Sequence, residues 1–328
     1  MTSYRKILSS LVVMATMTIG CSQQQFGLDS QSQEFGNKIA YNTEVDVLWV
    51  IDTSSSMDKH QALLAAQVGS FVDSLNKTGL NYRIAVTTMD MSASGAKGKF
   101  LGTPAVLTAS TPGLTSVLSA RLQPGAGGSP VERGLEALKA SVSAPLSSAG
   151  GTNENFLRPN ALLAVIFLSN EDDQSASADY GAFLDTVRPP LPSGERSWVA
   201  QFMGVTPDDP TCKTSEWDQA GYSEVGLKYI ALADESGGNS EAICDADLRR
   251  ALTNVKSRIL EILTEYKLAS VPNLSTLEVY INGALVPQDA VNGWSYFAST
   301  NSIRFHGSSV PRSDASIKVN YDPAGVKE

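Results

Sequence analysis

Val47-Leu48-Trp49-Val50-Ile51-Asp52-Thr53-Ser54-Ser55-Ser56 changes character in a single step, from a wholly apolar run to a carboxylate and a cluster of hydroxyls. An apolar run of this length, bounded by polar residues, predicts a strand buried on both faces, as in a parallel sheet covered by helices. In open α/β sheets, ligands bind beyond the carboxyl ends of such strands. Asp52, Ser54 and Ser56 therefore stand where a ligand is expected. One carboxylate and two hydroxyls are hard oxygen donors, suited to Mg²⁺, or to Mn²⁺ or Ca²⁺.

Two more loops follow the same logic. Ala161 to Leu168 is a second fully apolar run, and it ends in Ser169-Asn170-Glu171-Asp172-Asp173. Gly127-Gly128-Ser129-Pro130-Val131-Glu132 precedes a helical pattern. If the intervening elements alternate, all three loops fall on the carboxyl side of one sheet.

The intervening elements do alternate. Residues 44–52 read as the first strand. Over 58–77, Leu64, Val68, Phe71, Val72 and Leu75 recur at helical spacing, with Gly79 placed to end the helix. Tyr82 to Thr88 is a short strand. The Gly-, Ser-, Thr- and Pro-rich stretch 92–128 is expected to hold an edge strand near Phe100 and a helix over 112–121. Helices are predicted over 130–141, 177–187, 222–234 and 246–266, with a further strand over 198–205. This predicts an α/β fold with a doubly wound, mainly parallel sheet and right-handed crossovers, over residues 44–268.

The pattern changes after Val271-Pro272. Short alternating segments follow at Leu277 to Ile281, Trp294 to Phe297, Ser302 to Phe305 and Ser316 to Tyr321. Asn282-Gly283 and Asn292-Gly293 are turn signals, and Asn-Gly between alternating runs marks a hairpin. Residues 270–328 thus read as a small all-β module, marginal alone and expected to pack on the first domain.

Arg5 and Lys6 precede an apolar segment from Ile7 to Ile19 that is too short to span a membrane and has the layout of a secretory signal. Its end, Thr18-Ile19-Gly20-Cys21, resembles the lipobox of bacterial lipoproteins, although Thr18 stands where an aliphatic residue is usual. The resemblance implies removal of residues 1–20 and lipidation of Cys21. Ser22, in place of an inner-membrane-retaining Asp, favours the outer membrane, on its periplasmic or its surface face. The other reading is a general secretory signal with Cys21 incidental. Residues 21–43, rich in Gln and Ser, read as a flexible tether.

The chain has 34 acidic and 25 basic residues, a net charge of −9, and losing Arg5 and Lys6 would make it more acidic still. Such a surface argues against nucleic acid as a partner. With Cys21 set aside, Cys212 and Cys244 are the two remaining thiols, and in an exported protein they read as one disulfide.

Taken together, residues 44–266 resemble a von Willebrand factor A domain, and Val47 to Ser56 is similar to its metal-ion-dependent adhesion motif, Asp-x-Ser-x-Ser. The chain also resembles bacterial lipoproteins that join this domain to a β-rich tail, here carrying Trp294-Ser295-Tyr296 and Asn301-Ser302-Ile303-Arg304-Phe305. The resemblance implies metal ligands at Asp52, Ser54 and Ser56. It places the second-loop hydroxyl at Ser129, with Glu132 competing from the same loop. The third-loop Asp falls on Asn170, a departure that removes a negative charge, and Asp172 or Asp173 is the candidate to restore it. The implied partner is an extracytoplasmic protein whose Asp or Glu completes the cation's shell.

Two other functions stay open at this point. One is a structural envelope lipoprotein with a vestigial metal site, as Asn170 suggests. The other is a metal-dependent hydrolase, against which stand a chain with only His60 and His306 and no Gly-x-Ser-x-Gly, His-Glu-x-x-His or P-loop pattern. No enzyme is expected.

Overall fold

The computed structural model describes residues 30–35, 44–78, 80–189, 196–207, 211–213, 224–311 and 315–325. The segment read as a secretory signal, Cys21 and most of the stretch read as a tether lie outside the described residues.

After β1 (Gln31–Phe35), the α/β part runs β2 (Glu44–Ile51), α1 (Asp58–Gln67), α2 (Gly69–Thr78), β3 (Asn81–Thr88), β4 (Leu107–Thr108), α3 (Leu114–Arg121), α4 (Gly134–Ser141) and β5 (Leu162–Ser169). It continues through α5 (Tyr180–Val187), β6 (Trp198–Gly204), α6 (Leu227–Glu235), β7 (Ser240–Ala242) and α7 (Arg249–Thr264). Six strands form one sheet in the order β4-β3-β2-β5-β6-β7. Every pairing in it is parallel except that of β3 with β4.

The apolar runs explain why β2 and β5 sit at the centre. Val45, Val47, Trp49 and Ile51 enter the core on one face of the sheet, while Leu48 and Val50 enter the core on the other. A strand buried on both sides has no polar face to show, hence the unbroken run. From β2 the chain winds outward to β3 and β4, then crosses back to β5 and winds the other way. The carboxyl ends of β2 and β5 are therefore the switch point at which the loops diverge and leave a crevice.

At the opposite end of β2, Asp46 is fully buried, and its Oδ1 accepts from Arg158 Nε at 2.8 Å and its Oδ2 from Arg188 Nη2 at 3.3 Å. These pairs tie the start of the central strand to the segments flanking β5 and α5.

Several boundaries differ from expectation. The helix expected over 58–77 is two helices meeting at Val68, next to the Gly69-Ser70 pair, a usual place for a helix to kink. No strand forms at Phe100. Its N–H is taken by Asn153 Oδ1 at 2.9 Å, and Gly98 and Gly102 on either side have φ of 80° and 75°. Leu107–Thr108 supplies the edge instead. The helix expected from 177 starts at Tyr180 because Asp179 caps it, accepting from Ala182 N.

The C-terminal part comprises β8 (Glu265–Lys267), β9 (Glu278–Ile281), β10 (Ala284–Val286), β11 (Trp294–Phe297), β12 (Ser302–Phe305) and β13 (Ile317–Tyr321). They make two sheets, β1-β13-β9-β10 and β11-β12-β8, around a core that includes Tyr266, Val279, Trp294, Ile303, Phe305, Val319 and Tyr321. Asn282 and Gly283 join β9 to β10 with φ of 50° and 80°, the positive pair that a two-residue hairpin turn needs. Asn292-Gly293 makes no hairpin, since β10 and β11 belong to different sheets.

Two expectations are corrected here. Residues 31–35 are not tether: they pair antiparallel with β13 from Gln31↔Tyr321 to Phe35↔Ile317. Gln33 also accepts from Ala269 N at 3.0 Å, which a Gln- and Ser-rich strand can do with its side chains. Residues 265–267 are not helix but β8, because Ser302 and Arg304 of β12 hold Glu265. The module thus begins before Leu268 and includes chain from the N-terminal side of the α/β part.

Candidate metal site at the switch point

Asp52 follows β2 and is fully buried. Its Oδ1 accepts from Ser54 N at 2.7 Å and its Oδ2 from the Ser169 hydroxyl at 2.6 Å, while Gln61 Nε2 donates to its carbonyl at 2.7 Å. The carboxylate is held by both strands of the switch. The Ser56 hydroxyl donates to Asn170 Oδ1 at 3.1 Å, so its contact with Ser54 Oγ at 3.0 Å is a bond donated by Ser54. Three oxygens, from Ser54, Ser56 and Asn170, form a short chain at the mouth of the crevice.

The second loop brings two candidates, Ser129 and Glu132. The Ser129 hydroxyl accepts from Val131 N at 3.0 Å, and Ser129 N donates to Asp90 Oδ2 at 3.2 Å, so this residue is used in shaping the loop. Glu132 is the buried side chain of that loop: no N–H or hydroxyl reaches its carboxyl, which shares a hydrogen bond with the Asp52 carboxyl. Asp172 Oδ1 accepts from Lys228 N at 2.9 Å at the start of α6, and Asp173 Oδ1 accepts from Leu135 N and Tyr229 Oη. Both are committed to neighbouring helices and not to the Asp52 cluster.

Electrostatics sets the character of the crevice. Burial, with Asp52 and then Glu171 and Asp90 nearby, pushes the Glu132 carboxyl up to about 10. Burial and the charges of Asp52 and Glu224 raise Glu171 to about 7. Burial raises Asp52 as well, against the hydrogen bonds from Ser169 and Ser54. Crowded carboxyls hold their protons unless a cation replaces them. Glu132 and Glu171 are thus the two further carboxyls whose protonation is tied to the charge of Asp52.

The donor set fits a hard cation. Mg²⁺ binds oxygen at about 2.1 Å in near-octahedral geometry, which places neighbouring ligand oxygens about 3.0 Å apart. The Ser54–Ser56 and Ser56–Asn170 separations of 3.0 and 3.1 Å are hydrogen bonds in the metal-free chain, and a cation could take up these oxygens at that edge without moving them apart. Among the described residues no group of three or more His, Cys, Asp or Glu side chains is placed to hold a metal by itself. Hydroxyl and amide oxygens carry the fit.

Cys212 and Cys244 form a disulfide with a Cα–Cα distance of 5.0 Å, as the sequence predicted. It closes over the core beyond β6 and β7.

Sequence reasoning quoted Ser169 without a role, although its hydroxyl orients Asp52, and named Glu171 in the third cluster but not among the ligands. Asp90, Ser92 and Ser94 after β3 repeat the Asp-x-Ser-x-Ser spacing, and Asp90 accepts from Ser129 N of the second loop, a contact the sequence alone does not show.

No family model matches the chain, and no curated protein matches it. Solved structures do. Proximal thread matrix protein 1 from the mussel byssus is 12% identical with a TM-score of 0.40 over 70% of this chain and 50% of its own. Another structure of that protein has a zinc-occupied MIDAS motif. A von Willebrand factor type A protein from Catenulispora acidiphila is 12% identical with a TM-score of 0.40, over 92% of this chain and 66% of its own. The pilus adhesin SpaC from Lactobacillus rhamnosus GG is 13% identical with a TM-score of 0.42, over 85% of this chain and 39% of its own. The chain thus spans half the length of the mussel protein and less than two thirds of the other two. With its mostly parallel sheet wound outward from β2 and β5, and its Asp-x-Ser-x-Ser turn at that switch point, the chain has a von Willebrand factor A-like fold.

Proposed function

We propose that this protein is a binding protein of the bacterial cell envelope that captures an acidic side chain of an extracytoplasmic partner through a divalent cation, of the Mg²⁺ type. One observation carries the reading: Ser54, Ser56 and Asn170 oxygens stand 3.0 and 3.1 Å apart beside the buried Asp52. Ser54, Ser56, Asn170 and Asp52 would hold the ion, with Glu132 behind them. A bound divalent cation supplies an open coordination position for a partner carboxylate. The chain's own part is to hold Asp52 rigid through Ser169 and Ser54 N, and to keep Ser54 and Ser56 facing one point.

Lipidation of Cys21 would hold the protein at the outer membrane. The disulfide supports an oxidising compartment, where such bonds persist.

The test is calorimetric titration of the chelator-treated full chain with Mg²⁺, Mn²⁺ and Ca²⁺, against Asp52→Ala/Ser54→Ala. Specific binding that the variant loses is the expected result. No binding at millimolar metal would overturn the proposal and favour a structural lipoprotein with a vestigial site.

A further inference from the structure

We propose that the C-terminal β module docks on the membrane, and that Val271, Leu274 and Val291 enter the bilayer that holds the lipid on Cys21. The inference rests on the proposed lipidation and adds to it an apolar contact that fixes which way the protein faces.

Six large apolar side chains are exposed among the described residues, and four of them, Val271, Leu274, Leu285 and Val291, fall between 271 and 291. Singly exposed aliphatic residues are ordinary, so their place in the fold has to decide. That place is the end of the sheet where the chain arrives from Cys21. β1 pairs with β13 through Gln31↔Tyr321 at this end and Phe35↔Ile317 at the other. Ser30, the described residue nearest Cys21, donates its hydroxyl to Asp322 Oδ1. Asp322 O accepts from Asn273 N at 2.6 Å, and Val271 O accepts from Ala324 N at 2.7 Å. The segment carrying Val271 and Leu274 is thus bound beside the point of entry. β10 runs toward the same end, from Ala284↔Ile281 to Val286↔Val279, and the loop that leaves it carries Val291.

The length of chain before Ser30 names the occupant. Nine peptide steps separate it from Cys21, a reach of at most about 30 Å. A bilayer tethered within that distance meets these side chains at an effective concentration on the order of millimolar, so a few aliphatic contacts suffice. Charge adds nothing to the attraction: residues 270–278, 287–293 and 322–325 contain Glu278, Asp289 and Asp322 but no Lys or Arg. Docking is therefore by apolar burial and indifferent to salt.

The metal-bearing loops lie at the other end of the molecule. β1 leads on to Glu44, where β2 begins. β7 is parallel to β6, so α7 runs back to the amino end of the central sheet before entering β8 at Glu265. Both joins to the module are at that end, and Asp52 is at the carboxyl end. Docking turns the Asp52 crevice away from the membrane.

Tryptophan quenching tests this at three positions. The full chain is purified from cell membranes, its Cys21 is examined for lipid by mass spectrometry, and the protein is placed in phosphatidylcholine vesicles with brominated acyl chains. Leu274→Trp and Val291→Trp should each lose at least half of the emission they add to the native protein's, in low and high salt alike. Leu227→Trp should lose none: it is exposed at the start of α6, near Glu224, whose N–H donates to Asn170 O. Thermal unfolding of the three variants should match that of the native protein. Lipid on Cys21 with no quenching at 274 or 291 would overturn docking and leave the anchor standing, as would equal quenching at all three positions. Cys21 without lipid would sink the anchor reading, and the docking with it.

Discussion

The Ser56 hydroxyl donates to Asn170 Oδ1 across 3.1 Å, and so ties the turn after β2 to the turn after β5. Asn170 is buried, and its amide oxygen occupies a place where a carboxylate would add charge next to Asp52. Asn170→Asp is expected to tighten Mg²⁺ or Mn²⁺ binding about tenfold, or about 1.4 kcal/mol. The same variant should melt lower than the native protein in chelator, because the new charge has no counter-ion there. Unchanged affinity by calorimetry would remove Asn170 from the ligand set.

Glu132 gives a second expectation. The unfolded chain releases this proton near 4.5, whereas the folded protein holds it up to about 10. The metal-free fold therefore has its full stability from this group below pH 4.5 and loses it as pH rises toward 10. Glu132→Gln should stabilise the metal-free protein at pH 7 by on the order of 1–3 kcal/mol. It should also shrink the stabilisation that added metal gives. Urea unfolding with and without chelator measures both, and a variant less stable than the native chain in chelator would contradict the assignment.

His60 works in the opposite direction. It is buried in α1, and burial lowers its pKa from 6.5 to about 4. The unfolded chain takes up a proton near 6.5 and the folded chain does not until about 4. Stability from this group is complete above 6.5 and is lost as pH falls toward 4, by about 3 kcal/mol. The difference in stability between the native protein and His60→Gln should narrow by that amount between pH 7.5 and pH 4. A difference that is constant with pH would show that His60 titrates normally.

The Cys212–Cys244 bond joins residues 32 apart, and both cysteines lie inside the core. Closing a loop of that length is worth about 3–4 kcal/mol in the chain-entropy treatment. Cys212→Ala/Cys244→Ala should lose stability of that order, as should the native protein in reductant, measured at a fixed metal concentration. A loss under about 1 kcal/mol would mean that the unfolded chain gains little freedom from the break.

What the sequence determined by itself is what rests on local pattern. Strands β2 and β5 are legible because a strand covered on both faces must be apolar throughout, and Leu162–Ser169 is buried at every position. Asp52, Ser54 and Ser56 are legible because their geometry is made within one turn. The cysteine pairing is legible because no other partner was left. Tertiary structure decided what depends on contacts distant in the chain. Gln31–Phe35 has one apolar residue, Phe35, and no alternating pattern, and its pairing to β13 is made by main-chain bonds and by contacts such as Ser32 to Asn320, 288 residues away. Whether Ser129 or Glu132 turns into the crevice was set by the loop's bonds to Thr53, Met89 and Asp90. Asp90 gains meaning only from register: its spacing is written in the sequence, but parallel pairing of β2 with β3 is what sets it beside Asp52.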